Sequence, residues 1–240
     1  VAGDISITGN ALATSDDAGV YIKGNSIVRS TGAGASAATI SITGTGGDDL
    51  GDAGFLIDDI GTQVSSVDGA IQITGTGLDG AGVLINSGVT LPILATGTAT
   101  ITLQGTGGGA EPGVQIDSPI SSATGAVTIR SEDGTSSTDD ITFGAAGDIT
   151  STSGTVTIDA DTAGTSADVF MADGAAINAG SGLIDVDADV DVTLGGLLTT
   201  ANINITALAG AVIDGGDTDT DITANSGTVV IDAVTGVGST

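Results

Sequence analysis

One pattern recurs along the whole chain: a short strand whose apolar residues fall two apart, opened by Ile or Val. Its first apolar residue is Ile5, Ile40, Ile71, Ile101, Val127, Val156, Ile184, Ile203 and Val229. The intervals are 35, 31, 30, 26, 29, 28, 19 and 26 residues. Repetition at such a period constrains the fold more than any local propensity, because equivalent positions must pack on one another from unit to unit.

Two weaker signatures lie inside most units. One is a Gly- or Asp-led strand: GVYIKG (19–24), GFLIDD (54–59), GVLINS (82–87), GVQIDS (113–118), DITFGA (140–145), DVFMAD (168–173) and DVTLGG (191–196). The other is a short strand running into small polar residues and Gly: SIVRSTG, TQVSSVDG, PISSATG, DITSTSG, AINAGSG and DITANSG. Each unit reads strand, loop, strand, turn, strand, turn. In the 35-residue unit, SDD (15–17) and STGAGASAA (30–38) read as lengthened turns. In the 19-residue unit, IDVDADVDVTL reads as strand one running directly into strand two. The loops after strand one vary most (TGTGGDDLGDA, TGTGLDGA, QGTGGGAEP, RSEDGTSSTD), and variable loops on one side of a solenoid often form its binding face.

Alternation of period two gives each strand one apolar face. Ile71 and Ile73 point one way and Gln72 and Thr74 the other; Val156 and Ile158 oppose Thr157 and Asp159 in the same sense. β-Branched residues dominate, as pleated, half-buried surfaces favour. Good helix formers are nearly missing and Gly recurs too often for helices. Three short strands per unit, eight units and the start of a ninth predict a right-handed parallel β-helix, a β-solenoid of about eight three-strand rungs spanning residues 1–240 as one array. An antiparallel sandwich also has strands every few residues, but it does not require similar sequences one unit apart with the third strand in phase.

Composition fits this core. Hydrophobic residues make up 40% of the chain and aromatic ones only 2%, with one Met, no Trp and no Cys. Ile, Val, Leu and Ala must therefore fill the interior, with Phe55, Phe143 and Phe170 on the expected inward phase and Tyr21 outside. Absent cysteines exclude a disulfide scaffold. Thirty acidic residues face three basic ones (Lys23, Arg29, Arg130), a net charge of −27 without His, and all but Glu111 and Glu132 of the acids are Asp. Nucleic-acid binding is excluded, since nothing could neutralise phosphates. Anionic membrane surfaces are disfavoured for the same reason, and no 18-residue apolar run supports membrane insertion. Asp is a turn residue and a hard oxygen ligand, and dissolved salt or divalent cations would screen the charge.

The pattern G-D/N-I-x-S/A-x-x-G-x-V-x-I-x-A, carried by GDITSTSGTVTIDA (147–160), GAAINAGSGLIDVDA (174–188) and ITANSGTVVIDA (222–233), resembles the repeats of filamentous-haemagglutinin-like adhesins and other giant bacterial surface proteins with β-helical passengers. The rungs are longer and less regular than that family's tidiest repeats, and its N-terminal secretion domain is not found. The resemblance implies export to the cell surface and roles in adhesion, aggregation or biofilm.

Candidate chemistry is sparse. Glycoside hydrolysis needs paired carboxylates, and Asp16–Asp17, Asp48–Asp49, Asp58–Asp59 and Asp139–Asp140 supply pairs, but each lies in or beside a turn, where solvated Asp pairs are ordinary. Nucleophilic triads fail without His or Cys. The chain is therefore expected to be no enzyme and to require no cofactor. Calcium is the one metal suggested. Asp185, Asp187, Asp189 and Asp191 alternate with apolar residues on one expected outward strand face, and Asp217, Asp219 and Asp221 form D-x-D-x-D after GG, without the later Gly and Glu of an EF-hand. Outward Thr runs such as TGTATIT (96–102) are too irregular for an ice-binding array.

Two readings from different classes follow, both extracellular. The chain is a segment of a surface adhesin or matrix protein whose loops contact a host or matrix glycan or protein. Alternatively it is a fibre, sheath or surface-layer subunit. Neither end reads as a cap, which predicts pairing of the last rungs with further repeats of the chain or end-to-end stacking of copies.

Overall fold

The computed structural model describes residues 3–11, 17–132, 140–160, 167–216 and 220–238. Twenty-six short strands in these residues form three sheets of nine, nine and eight strands, and every pairing is parallel. The first sheet takes every third strand, from Ile5–Asn10 through Ile40–Thr45 and Ile71–Thr76 to Val229–Ala233. The second runs from Val20–Ile22 to Gly236–Val237 and the third from Ile27–Ser30 to Ile222–Ala224. The chain therefore coils as a parallel β-helix of eight full rungs and a ninth begun. All nine strand starts marked by the repeat coincide with strands of the first sheet.

Register is what the alternation demands. Ile5, Ile40, Ile71, Ile101, Val127, Val156, Ile184, Ile203 and Val229 stack in one column. A slip of one residue would turn each such column out to solvent. Inward columns from the three sheets merge into one core of Ile, Val, Leu and Ala, completed by Phe55, Phe143 and Met171. Each buried aliphatic side chain contributes roughly 1.5–3 kcal/mol before chain entropy is charged.

Two sequence expectations are corrected. Phe170 is not core: it lies between Thr142 and Thr193 in register, on the outward phase, and is 39% exposed. Its neighbours Val169 and Met171 hold the inward positions. Strand one of the 19-residue unit does not run into strand two. Ile184–Ala188 ends, Asp189–Asp191 turn the corner, and Val192–Leu194 begins the next sheet. Third strands also exist where no signature was found, at Ile93–Ala95 and Gly196–Thr199. The long turn of the first unit holds a single 3-10 turn at Gly34–Ser36; part of SDD lies outside the described residues.

The corner between the first and second sheets is built in two ways. In the first four rungs a glycine column, Gly9, Gly44, Gly75 and Gly105, faces a second glycine just before strand two. A Cβ at Gly75 would lie 1.9 Å from the Gly82 carbonyl oxygen, and the other three positions repeat this approach to Gly19, Gly54 and Gly113. From the fifth rung on, Ser131, Ala160, Ala188 and Ala207 close strand one as buried side chains. The residue before strand two there becomes Asp140, Asp168 and then Asp191.

Candidate functional site

The chemistry-bearing residues of this chain are almost all aspartates, so the site question is where their carboxylates go. In the corners they accept backbone N–H groups from the neighbouring rung. Asp168 Oδ1 accepts from Asp191 N–H at 2.6 Å, and Asp191 Oδ1 accepts in turn from Ala211 N–H at 2.6 Å. Asp148 does the same for Ala176, Asp4 for Thr39 and Asp59 for Gly24. Asp suits this position because its short side chain bonds nearby backbone without leaving the turn. A bond between a backbone donor and a carboxylate is also stronger than one to a neutral acceptor.

Asp68 is the fullest case. It sits in the corner between the third and first sheets and spans three rungs. Oδ1 accepts the Thr98 N–H at 2.8 Å and the Thr98 hydroxyl at 2.9 Å, while Oδ2 accepts the Gly34 N–H at 2.6 Å. The Thr98 backbone bond first, then Gly34, hold its carboxyl below the usual carboxylate range. A group whose pKa falls on folding contributes stability that is complete above its unfolded pKa and is lost as pH falls through the folded value. Asp68→Asn is therefore expected to lower Tm at neutral pH, and the gap to the parent should close as pH drops below about 4. Melting curves across that range check it; a gap that stays constant into acid would remove the charge from the account.

The proposed calcium ligands are not brought together as one set. Asp185 and Asp187 share the outward face of strand Ile184–Ala188. Asp189 lies in the turn beyond it, and Asp191 belongs to the corner ladder just described. Asp217 and Asp219 lie outside the described residues. Asp221 borders a shallow hollow of about 170 Å³ at the corner of the second and third sheets, with Asp173, Gly174 and Gly196. Among the described residues no group of three or more carboxylates is placed to hold one metal ion.

The Asp58–Asp59 pair separates in a similar way. Asp58 accepts the Tyr21 hydroxyl at 3.2 Å, and partial burial followed by this bond holds the phenol above its ordinary pKa. Asp59 turns to Gly24 instead. Asp16 and Asp139 lie outside the described residues. Lys23 lies 4.2 Å from the centre of the Tyr21 ring. Arg130 pairs with Asp159 of the next rung at 3.0 Å.

Sequence reasoning missed the outward Phe170. It borders a hollow of about 330 Å³ on the second sheet with Pro112, Gln115, Asp117 and Thr142, across which Gln115 donates to Asp117 at 2.7 Å. The signal was available: Phe170 falls one residue out of phase with the Val169 and Met171 pair that matches Ile141 and Phe143. Among the described residues no helix is long and apolar enough to cross a membrane. Comparison with family models, with curated protein sequences and with solved structures found no match.

Proposed function

We propose that this chain is a rigid, non-catalytic segment of an extracellular bacterial surface or matrix scaffold, of the kind the filamentous-haemagglutinin-like repeats suggest. The observation that carries this reading is how the acidic residues are used. Corner aspartates tie rung to rung through the backbone, so the charge serves a long, soluble rod. A large net charge of one sign keeps such a rod dispersed. The loops after strand one then project from the rod as surfaces for a host or matrix glycan or protein.

End-to-end assembly is the second reading. Strand Val229–Ala233 pairs on one side only within the described residues, and Val230 is half exposed there. A further rung of the same chain or a second copy would cover that edge alike.

Negative-stain electron microscopy of the purified chain, with and without millimolar calcium, tests both. Isolated rods near 40 Å long, the length of eight rungs at about 4.8 Å each, are the result expected of a scaffold segment. Fibres of constant width would replace that reading with end-to-end assembly. Fibres only in calcium would assign the ion a place in the joint.

A further inference from the structure

The chain has three cations among 30 acidic residues, and two of them are engaged, Lys23 by the Tyr21 ring and Arg130 by Asp159. Among the described residues Arg29 has no ion-pair partner. It lies on the outer face of the third sheet, in register with Ser65 and Leu94 of the next two rungs. Together with Gln63, Thr31 and Thr96 these residues line a cavity of about 260 Å³.

A second observation is independent of the cation. Ser30, Ser65 and Ser66 line the same cavity, each at least nine-tenths buried, and none of their hydroxyls has a hydrogen-bond partner. Elsewhere the third-sheet column that contains Ser30 and Ser66 is satisfied by its own turn. The Ser122 hydroxyl donates to Gly125 at 2.7 Å, Ser151 Oγ accepts from Gly154 N–H at 2.8 Å, and Thr199 donates to Gly182 at 2.6 Å. Buried hydroxyls without partners are costly, and Ser65, in register with Arg29 on the outward phase, places one on the same face as the unpaired guanidinium, while Ser30 and Ser66 lie on the inward phase. The carboxylate that follows this strand in the next corner, Asp68, has both oxygens engaged by Gly34 and Thr98.

We propose that this cavity binds the carboxylate of a small acidic ligand, with a body the size of one sugar unit. Arg29 supplies the planar donor fork that carboxylates fit, and the Ser65 hydroxyl donates at its side. A monovalent anion is preferred to a phosphate dianion, since the field of a −27 protein opposes each added negative charge. The volume exceeds that of a carboxylate alone, and Leu94 and Val67 offer an apolar wall for the ligand's carbon skeleton.

Calorimetric titration of the whole chain with sodium galacturonate, galactose, N-acetylglutamate and inorganic phosphate tests this. Galacturonate is expected to bind with Kd of about 1 mM, to weaken with added salt and to lose about tenfold or more in affinity in Arg29→Gln. Ser65→Ala should weaken binding while leaving Tm unchanged or raised, because it removes a buried hydroxyl that has no partner. N-Acetylglutamate binding as tightly as galacturonate would support the carboxylate and move its source from a sugar acid to an acidic side chain. Galactose or phosphate binding as tightly as galacturonate would overturn the proposal. So would no heat into the tens of millimolar, or an Arg29→Gln chain of unchanged Tm that binds as the parent does.

Discussion

Phe143→Ala is expected to destabilise the rod by about 3–5 kcal/mol and to lower Tm by roughly 10–15 °C. Phe143 is fully buried, and in register it sits between Ile116 of the rung before and Met171 of the rung after. Truncating it removes a ring's worth of burial and leaves a void that flanking strands, fixed by ladders on both sides, cannot close. Phe170 provides the internal comparison. It is the same residue type one rung on, yet it faces solvent, so Phe170→Ala should cost less than about 1 kcal/mol. Thermal melts of the two variants side by side check both statements. Equal losses would place Phe170 in the core after all.

Gly75→Ala is the second large effect. One methyl group is usually harmless on a strand, but here it would meet the Gly82 carbonyl oxygen at 1.9 Å and its carbon at 2.6 Å. Both obstacles are backbone, held between rungs by the hydrogen bonds Gly82 N–H to Pro112 carbonyl and Phe55 N–H to Gly82 carbonyl. The corner must splay, at about 3 kcal/mol, with Tm falling roughly 6–12 °C. Ala188 holds the comparable place in the later rungs with its side chain buried. Ala188→Gly should cost only about 1–2 kcal/mol, from lost burial and added chain freedom. Similar melting points for Gly75→Ala and the parent would show that the corner has slack.

Strand columns were legible in the sequence because stacking forces equivalent positions to match. Ile71 must resemble Ile40 and Ile101 since all three touch. The corners were harder to read. That Gly19 and Asp140 hold the same place was visible as a Gly- or Asp-led strand, but its reason was not. A glycine there admits close backbone, whereas an aspartate bonds the next rung, and only coordinates tell these apart. The alternating aspartates from Asp185 to Asp191 read as one outward face because period two was extended through a corner. The chain turns at Asp189, so Asp191 leaves the strand face and joins Asp168 in the corner ladder. The cavity beside Arg29 left no sequence signal, as Ser65 and Ser66 look like any small residues before a turn.

The two corner chemistries also define which pieces of this rod are interchangeable. A rung contacts only its neighbours, so a copy of residues 71–100 inserted after itself would extend the Gly75 column without a mismatch. The same segment spliced between the rungs that begin at Val156 and Ile184 would set Gly75 against Ala160 and Ala188. It would also interrupt the carboxylate relay from Asp168 to Asp191. Growth by duplication is thus open within each half and obstructed across their boundary. The rod is two kinds of rung joined near Val127, each able to lengthen in steps of one turn.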